Sequence, residues 1–201
     1  MSPRRQETAS AVRSSVGAPP VLAKSWNVVV TAFSEGWRPA LRALRQLGEA
    51  QASGHYNVIL ATADDPVGLL DALERRAQTE PVLIDTISRV APALACFDYQ
   101  TDEDFERKAI AVAMPWLPKL AGKSFHVRVH RRGDGLSSNV QAEEARLGQA
   151  LLSALADIGA TASIKFEDPD LILAIDAIDG RAGVGLWTRE DMRRRRFLRP
   201  D

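Results

Sequence analysis

Polar and apolar positions alternate most regularly between residues 125 and 132. Phe125, Val127 and Val129 fall on one side; His126, Arg128, His130 and Arg132 fall on the other. Successive side chains of a strand point to opposite faces, so this stretch predicts a strand with one core face and one basic face. Arg131 leaves the core side just before Gly133, Asp134 and Gly135, where the chain turns. Ser138 with Gln141 then reads as a capping box, and Glu143 and Glu144 suit the positive end of a helix dipole. Leu147, Leu151, Leu155 and Ile158 recur at helical spacing and predict the packed stripe of that helix. Gly148 beside the stripe is either a point of close approach to the sheet or a tolerated surface glycine.

The same patterning organises the rest of the chain. Residues 26–33 predict a buried strand, and Pro39 suits the first turn of a helix carrying Leu41, Leu44 and Leu47. Residues 56–60 predict a second strand. Asp64, Asp65 and Pro66 mark a helix start with Leu69, Leu70 and Leu73 inward, and Pro81 with residues 82–90 predicts a third strand. This alternation gives a compact α/β unit of ferredoxin-like size over residues 25–90. Residues 91–99 read as extended, broken by Pro92, and Asp102, Glu103, Asp104 and Glu106 precede a helix ended by Pro115 and Pro118. Residues 162–166 form a short strand. Residues 171–178 are apolar enough for the middle of a sheet, and Asp179 with Gly180 turns the chain into a last strand over residues 182–187. Residues 1–24, rich in Ser, Ala, Arg and Pro without apolar periodicity, read as a disordered tail.

Composition narrows the class. At 201 residues and 45% hydrophobic the chain can bury a sizeable core without staples. Cys96 is the only cysteine and lies in an apolar run, which excludes a disulfide framework or cysteine metal site and reads as a small buried hydrophobe. No apolar run approaches the roughly 18–20 residues of a membrane span, so a cytoplasmic location is expected. Formal charge is zero and the sequence pI is near 6.9, unlike a uniformly basic nucleic-acid binder. The charge is nevertheless sorted. Residues 119–135 carry a net +4, residues 137–180 a net −6 and residues 187–201 a net +3, and sorted charge makes a directional field that the total conceals.

Candidate chemistry follows from that sorting. Arginines beside a glycine turn and a helix N-terminus make a phosphate-binding candidate, since unpaired amides and guanidinium groups reach one anion. The commoner fate of such charges is a solvated face. Arg193, Arg194, Arg195 and Arg196 read as a solvated tail, a nuclear-type basic signal or a second phosphate-contacting patch; Phe197 and Leu198 after them favour a tail that folds back. His126 and His130, about 13 Å apart along a strand, cannot share a metal ion. Of the four tryptophans only Trp37 is a weak candidate for base stacking. No Gly-x-Ser-x-Gly, His-Glu-x-x-His, dinucleotide or phosphate-loop motif occurs. No cofactor or catalytic residue is expected.

From about residue 82 to 199 the chain resembles a THUMP domain, the RNA-binding module of tRNA-modifying proteins. The resemblance rests on the helix before Lys123, the strand from Phe125 to Arg132, the helix carrying Glu144, Leu147 and Gly148, Asp168, Pro169 and Asp170 opening an apolar strand, and the final hairpin. It implies an α/β (α+β) fold: a ferredoxin-like unit over residues 25–90, then a THUMP domain over residues 91–201 with a mixed sheet and flanking helices. The chain stops soon after Phe197, so the free-standing type is expected, similar to the adaptor that presents tRNA to a cytidine acetyltransferase. The resemblance implies a non-enzymatic tRNA-binding protein that holds the acceptor end for a separate RNA-modifying enzyme. Its RNA contacts would be Lys123, Arg128, His130, Arg131 and Arg132; the pattern of the residues themselves adds Ser138 at the helix start and Arg193, Arg194, Arg195 and Arg196 as candidates. The alternative is a protein-interaction module of the same fold that has lost RNA, with acidic residues 137–180 as its working surface.

Overall fold

A computed structural model describes residues 25–133 and 139–199. The tail expected over residues 1–24 lies outside the described residues. The first sheet is built by β1 (Val28–Ala32), β2 (Glu49–Ala52), β3 (Val58–Thr62) and β4 (Ile87–Pro92) in the order β2-β3-β1-β4, every neighbouring pair antiparallel. Helix α1 (Trp37–Arg45) connects β1 to β2; α2 (Pro66–Thr79) and α3 (Val82–Thr86) connect β3 to β4. Asp65 caps α2 by accepting from the Gly68 amide at 2.8 Å, and Pro66 occupies the first turn, where its missing N–H costs nothing.

Two elements depart from the pattern. β2, with the sequence Glu-Ala-Gln-Ala, lacks β-branched residues and forms because it pairs at the edge of an existing sheet. The run over residues 82–90, expected as one strand, is divided: Pro81 holds φ −56°, its carbonyl accepts from Ile84, and α3 forms before β4 begins. β4 also carries the chain across the boundary expected at residues 90 and 91.

The second sheet contains β5 (Ala95–Asp98), β6 (Ser124–Arg132), β7 (Ser163–Ile164), β8 (Leu171–Ile178) and β9 (Arg181–Thr188) in the order β5-β9-β8-β6-β7. It is mixed, since β6 runs parallel to β7 and β8 while β9 runs antiparallel to β8 and β5. β8 lies at its centre, as its continuous apolar run requires. Helices α4 (Asp102–Ala113), α5 (Leu117–Leu120) and α6 (Val140–Asp157) supply the flanking layer; Phe105, Leu147, Leu151 and Leu155 pack on Phe125, Val127, Val129, Leu173 and Ile175. Helix α6 is capped by Asn139, which accepts from the Ala142 amide. Ser138, the cap expected from the sequence, lies outside the described residues. Asp179 and Gly180 both take positive φ in the tight turn between β8 and β9. A short helix α7 (Arg189–Arg194), unforeseen in the sequence, opens on a capping box between Thr188 and Asp191.

The units are joined through the opposite face of the second sheet. Ala174, Trp187, Phe197 and Leu198 share one hydrophobic cluster with Val30, Leu44, Leu70 and Val90 of the first unit. The end of the chain returns to that unit, where the Val90 amide donates to the Phe197 carbonyl at 2.8 Å and the Phe197 amide to Glu74 at 2.6 Å. Gly183 is required at the seam, because an added Cβ would lie 2.8 Å from both the Trp26 ring and the Ala93 side chain. Arg89 of β4 grips Asp176 of β8 through two bonds of 2.7 Å, both side chains over nine-tenths buried. Removing either member strands a buried charge. Asp176→Ala or Arg89→Ala is therefore expected to cost about 3–5 kcal/mol in urea denaturation, whereas Arg89→Met with Asp176→Leu costs less than either single change.

Candidate nucleic-acid interface

Strand parity decides which arginines reach solvent. Even-numbered β6 residues share a face with Ile172, Ala174 and Asp176 of the neighbouring strand, the face on which the first unit docks. Odd-numbered residues face α4 and α6, and Arg131 goes with them. Its Nε donates to Glu143 at 2.8 Å, its Nη2 bonds the other oxygen of the same carboxylate and lies 3.3 Å from Asp102. The guanidinium sits 4.0 Å from the Phe105 ring centroid, its side chain only 8% exposed, over a Glu143 carboxylate with no exposure at all. Arg131 is a structural residue in the second core, not a phosphate contact. A buried glutamate at that point demands a permanent cation, and arginine supplies one with a fork that matches both oxygens.

The even positions differ. Arg128 is more than a third exposed and approaches Glu144 only to 3.8 Å. Arg132 is partly buried, 3.9 Å from Asp176; burial lowers its pKa, with Asp176 acting to raise it and Arg89 to lower it. His130 is half-buried between them on the same face. Lys123 is exposed at the start of β6, about 30 Å along the strand from Arg132, and does not join that group. Of the turn and helix start over residues 133–139, whose amides are expected to cradle a phosphate, residues 134–138, Ser138 among them, lie outside the described residues.

The arginine run is likewise divided. Arg195 is pinned by Asp71 at 2.8 Å and Asp191 at 2.6 Å, which serves the docking of the tail. Arg193 is exposed, 3.9 Å from Asp168. Arg194, Arg196 and Arg199 are exposed and make no carboxylate ion pair among the described residues. The anchoring is supplied by Phe197 and Leu198, both buried. Arg199 and Arg128 both line one depression, together with His126, Phe166, Asp168 and Met192. Arg193, Arg194 and Arg196 line a second depression together with Glu74 and Gln78 of α2. Arg199 and Phe166 were not among the residues expected at this site.

His126 is 5% exposed, and its Nε2 has no hydrogen-bond partner among the described residues. Burial lowers its pKa and the nearby Arg128 lowers it further, against an opposing pull from Glu144. Cys96 is partly buried, and burial pushes its thiol up, which disfavours the thiolate form. Trp37 is partly buried against the first core, with Arg38 5.3 Å from its ring centroid. No group of three His, Cys, Asp or Glu placed to hold a metal occurs among the described residues, and none of their helices is long and apolar enough to cross a membrane.

No protein-family model and no curated protein matches this sequence. Solved structures do. PH1313 from Pyrococcus horikoshii Ot3 superposes with TM-score 0.54 at 15% identity over 80% of this chain and 54% of its own. TrmN from Thermus thermophilus gives 0.51 at 20% identity over 79% of this chain and 44% of its own. A 4-thiouridine synthetase in complex with RNA and ATP gives 0.52 at 15% identity over 81% of this chain and 41% of its own. The fold is THUMP-like, an α+β arrangement of two sheets with flanking helices. At these identities the likeness establishes the fold alone, and the chain spans about half the length of these structures or less.

The buried imidazole gives a test of the site's electrostatics. Above pH ~6.5 His126 is neutral folded or unfolded. Below that value the unfolded chain takes up the proton first, so stability falls with pH until the lower folded pKa is passed. Melting temperature measured from pH 7.5 to 5 is expected to fall less steeply for His126→Phe than for the wild type.

Proposed function

We propose that this protein binds tRNA without catalysing a reaction on it, holding the acceptor end across the two units for a separate RNA-modifying enzyme in the cytoplasm. The observation that carries the proposal is the meeting of Arg128 and Arg199, from the basic strand and the far end of the chain, over one depression on the face where the units join. Three further arginines line a second depression, and one of them, Arg193, reaches within 3.9 Å of Asp168 in the first. Polyphosphate recognition needs an extended row of exposed cations, which local sequence runs do not provide by themselves. In this neutral chain some arginines are taken up in buried pairs, while Arg128 and Arg199 line one depression and Arg193, Arg194 and Arg196 another.

Two further observations support the reading. Residues 25–92 follow a β-α-β-β-α-β order with strand order β2-β3-β1-β4, the arrangement of a ferredoxin-like unit. One solved structure of similar fold is a 4-thiouridine synthetase in complex with RNA. The interface residues proposed are Arg128, His130, Arg132, Arg193, Arg194, Arg196 and Arg199, with Lys123 as an outlying contact.

Filter binding to tRNA over a salt series tests this. Affinity is expected to fall steeply with salt, and Arg128→Ala, Arg196→Ala and Arg199→Ala each to weaken binding and reduce the slope of log K against log salt by about 1. Arg131→Ala is expected to lower stability by about 3 kcal/mol while the folded fraction keeps the wild-type slope. A flat salt response, or unchanged slopes in all three surface variants, contradicts the proposal.

A further inference from the structure

β6 has an open edge. The two-residue strand β7 pairs only with Ser124 and Phe125, and beyond that point no strand covers β6 among the described residues. The Val129 amide is met instead by the Glu144 carboxylate of α6 at 2.8 Å. Between this edge, α6 and the segment after β7 lies a groove of about 440 Å³, lined by Val127, Arg128, Gln141, Gly148, Ile164 and Phe166 among others. Gly148 lets α6 lie close to the sheet here, since an added Cβ would crowd the end of the Ile164 side chain at 3.0 Å. The largest aromatic exposure on this side is Phe166, 73% accessible, with its ring fixed at a right-angled contact of 4.9 Å to the buried His126. The ring thus packs on the imidazole at one side and leaves the rest of its surface open to the groove.

Phe166 and Arg128 belong to two depressions at once, this groove and the arginine-lined one that reaches Arg199. A ligand seated on the phenyl ring therefore has its neighbouring backbone beside two exposed guanidinium groups. The apolar floor offers a flat ring a place to lie. The Gln141 amide on the wall both donates and accepts, as the edge of a base requires. An unstacked nucleotide meets all of these conditions, with a flat heterocycle, a hydrogen-bonding edge and an attached anion.

We propose that the groove beside β6 holds one unpaired nucleobase of single-stranded RNA, stacked on Phe166, with Gln141 on its edge and its flanking phosphate between Arg128 and Arg199. His126 is a positioning residue that sets the Phe166 ring. This deepens the RNA-binding reading and rests on it, yet the two fail separately. The phosphate row accounts for affinity and salt dependence, whereas the stacked base adds a term that salt does not screen.

The test uses the full chain, fluorescence anisotropy at several salt concentrations, and an RNA hairpin with a four-nucleotide single-stranded 3′ overhang, intact or with abasic overhang positions. Phe166→Ala is expected to weaken binding of the intact hairpin about ten-fold with an unchanged salt slope and melting temperature, and Phe166→Trp to retain it. Abasic overhangs are expected to cost the wild type a similar factor and Phe166→Ala nothing more. Wild-type affinity in Phe166→Ala, or an equal loss for intact and abasic RNA, overturns the pocket and leaves the arginine face standing. If Phe166→Ala changes only the self-association of the protein, the ring is a contact between copies and the proposal is wrong. Absence of any binding by the wild type overturns both readings.

Discussion

Asp176 stands on the central strand of the second sheet, facing the seam, and two arginines converge on it. Arg89 comes from the last strand of the first sheet and grips it bidentately; Arg132 approaches from the adjacent strand. A carboxylate buried to that degree cannot persist uncompensated, so the first unit must dock where Arg89 can reach it. The surrounding contacts follow from that placement. Trp26 lies over Gly183, the end of the chain adds a buried Phe197 beside Val90, and Arg89 also bonds the Arg199 carbonyl. Hydrophobic burial supplies the driving force for this union, while the ion pair fixes its geometry. Apolar faces alone tolerate sliding; a two-pronged guanidinium–carboxylate contact does not.

The same logic divides the chain's positive charge into two populations. Arg89, Arg131 and Arg195 are spent on carboxylates that folding buries or half-buries, namely Asp176, Glu143 and the Asp71 and Asp191 pair. They hold sheet to sheet, strand to helix and tail to helix. Arg128 is partly exposed and Arg194, Arg196 and Arg199 are exposed; Arg128 and Arg199 line one depression, Arg194 and Arg196 another. A chain of zero net charge can still expose clusters of arginine, because two of its acids, Glu143 and Asp176, are buried against Arg131 and Arg89, although Asp168 and Glu74 remain in the arginine-lined depressions. Net charge describes solubility; the face a partner meets is decided by which charges the fold has already paired.

Much of this was legible in the sequence, and the parts that were not share a cause. The alternation over β6, the apolar run of β8, the Asp179 and Gly180 turn and the Asp65 cap all depend on near neighbours, so local pattern was enough. β2 was not legible because Glu-Ala-Gln-Ala carries no strand preference and is recruited by β3. α3 interrupts an apolar run that reads as a strand because Pro81 starts a helical turn there. The capping box of α7 was visible as Thr188 and Asp191 but was overshadowed by the arginines that follow. Arg131 is the instructive case: parity already placed it on the core side, but the acid that claims it lies a turn into the next helix, and only the fold shows that the two meet. Phe166 and Arg199 escaped notice because exposure is a property of what fails to cover a residue, and that depends on the short length of β7 and the route of the tail.

The central claim is that the exposed arginines form a single surface for a polyanion across the seam between the two units. Photo-cross-linking of tRNA to the full chain, with attachment sites mapped by peptide mass spectrometry, tests it most directly. The account predicts adducts concentrated in two peptides distant in sequence, one spanning β6 around Arg128 and one spanning residues 193–199, both lost on competition with unlabelled tRNA. Adducts confined to α4 and α6, or spread without preference around the molecule, would contradict it.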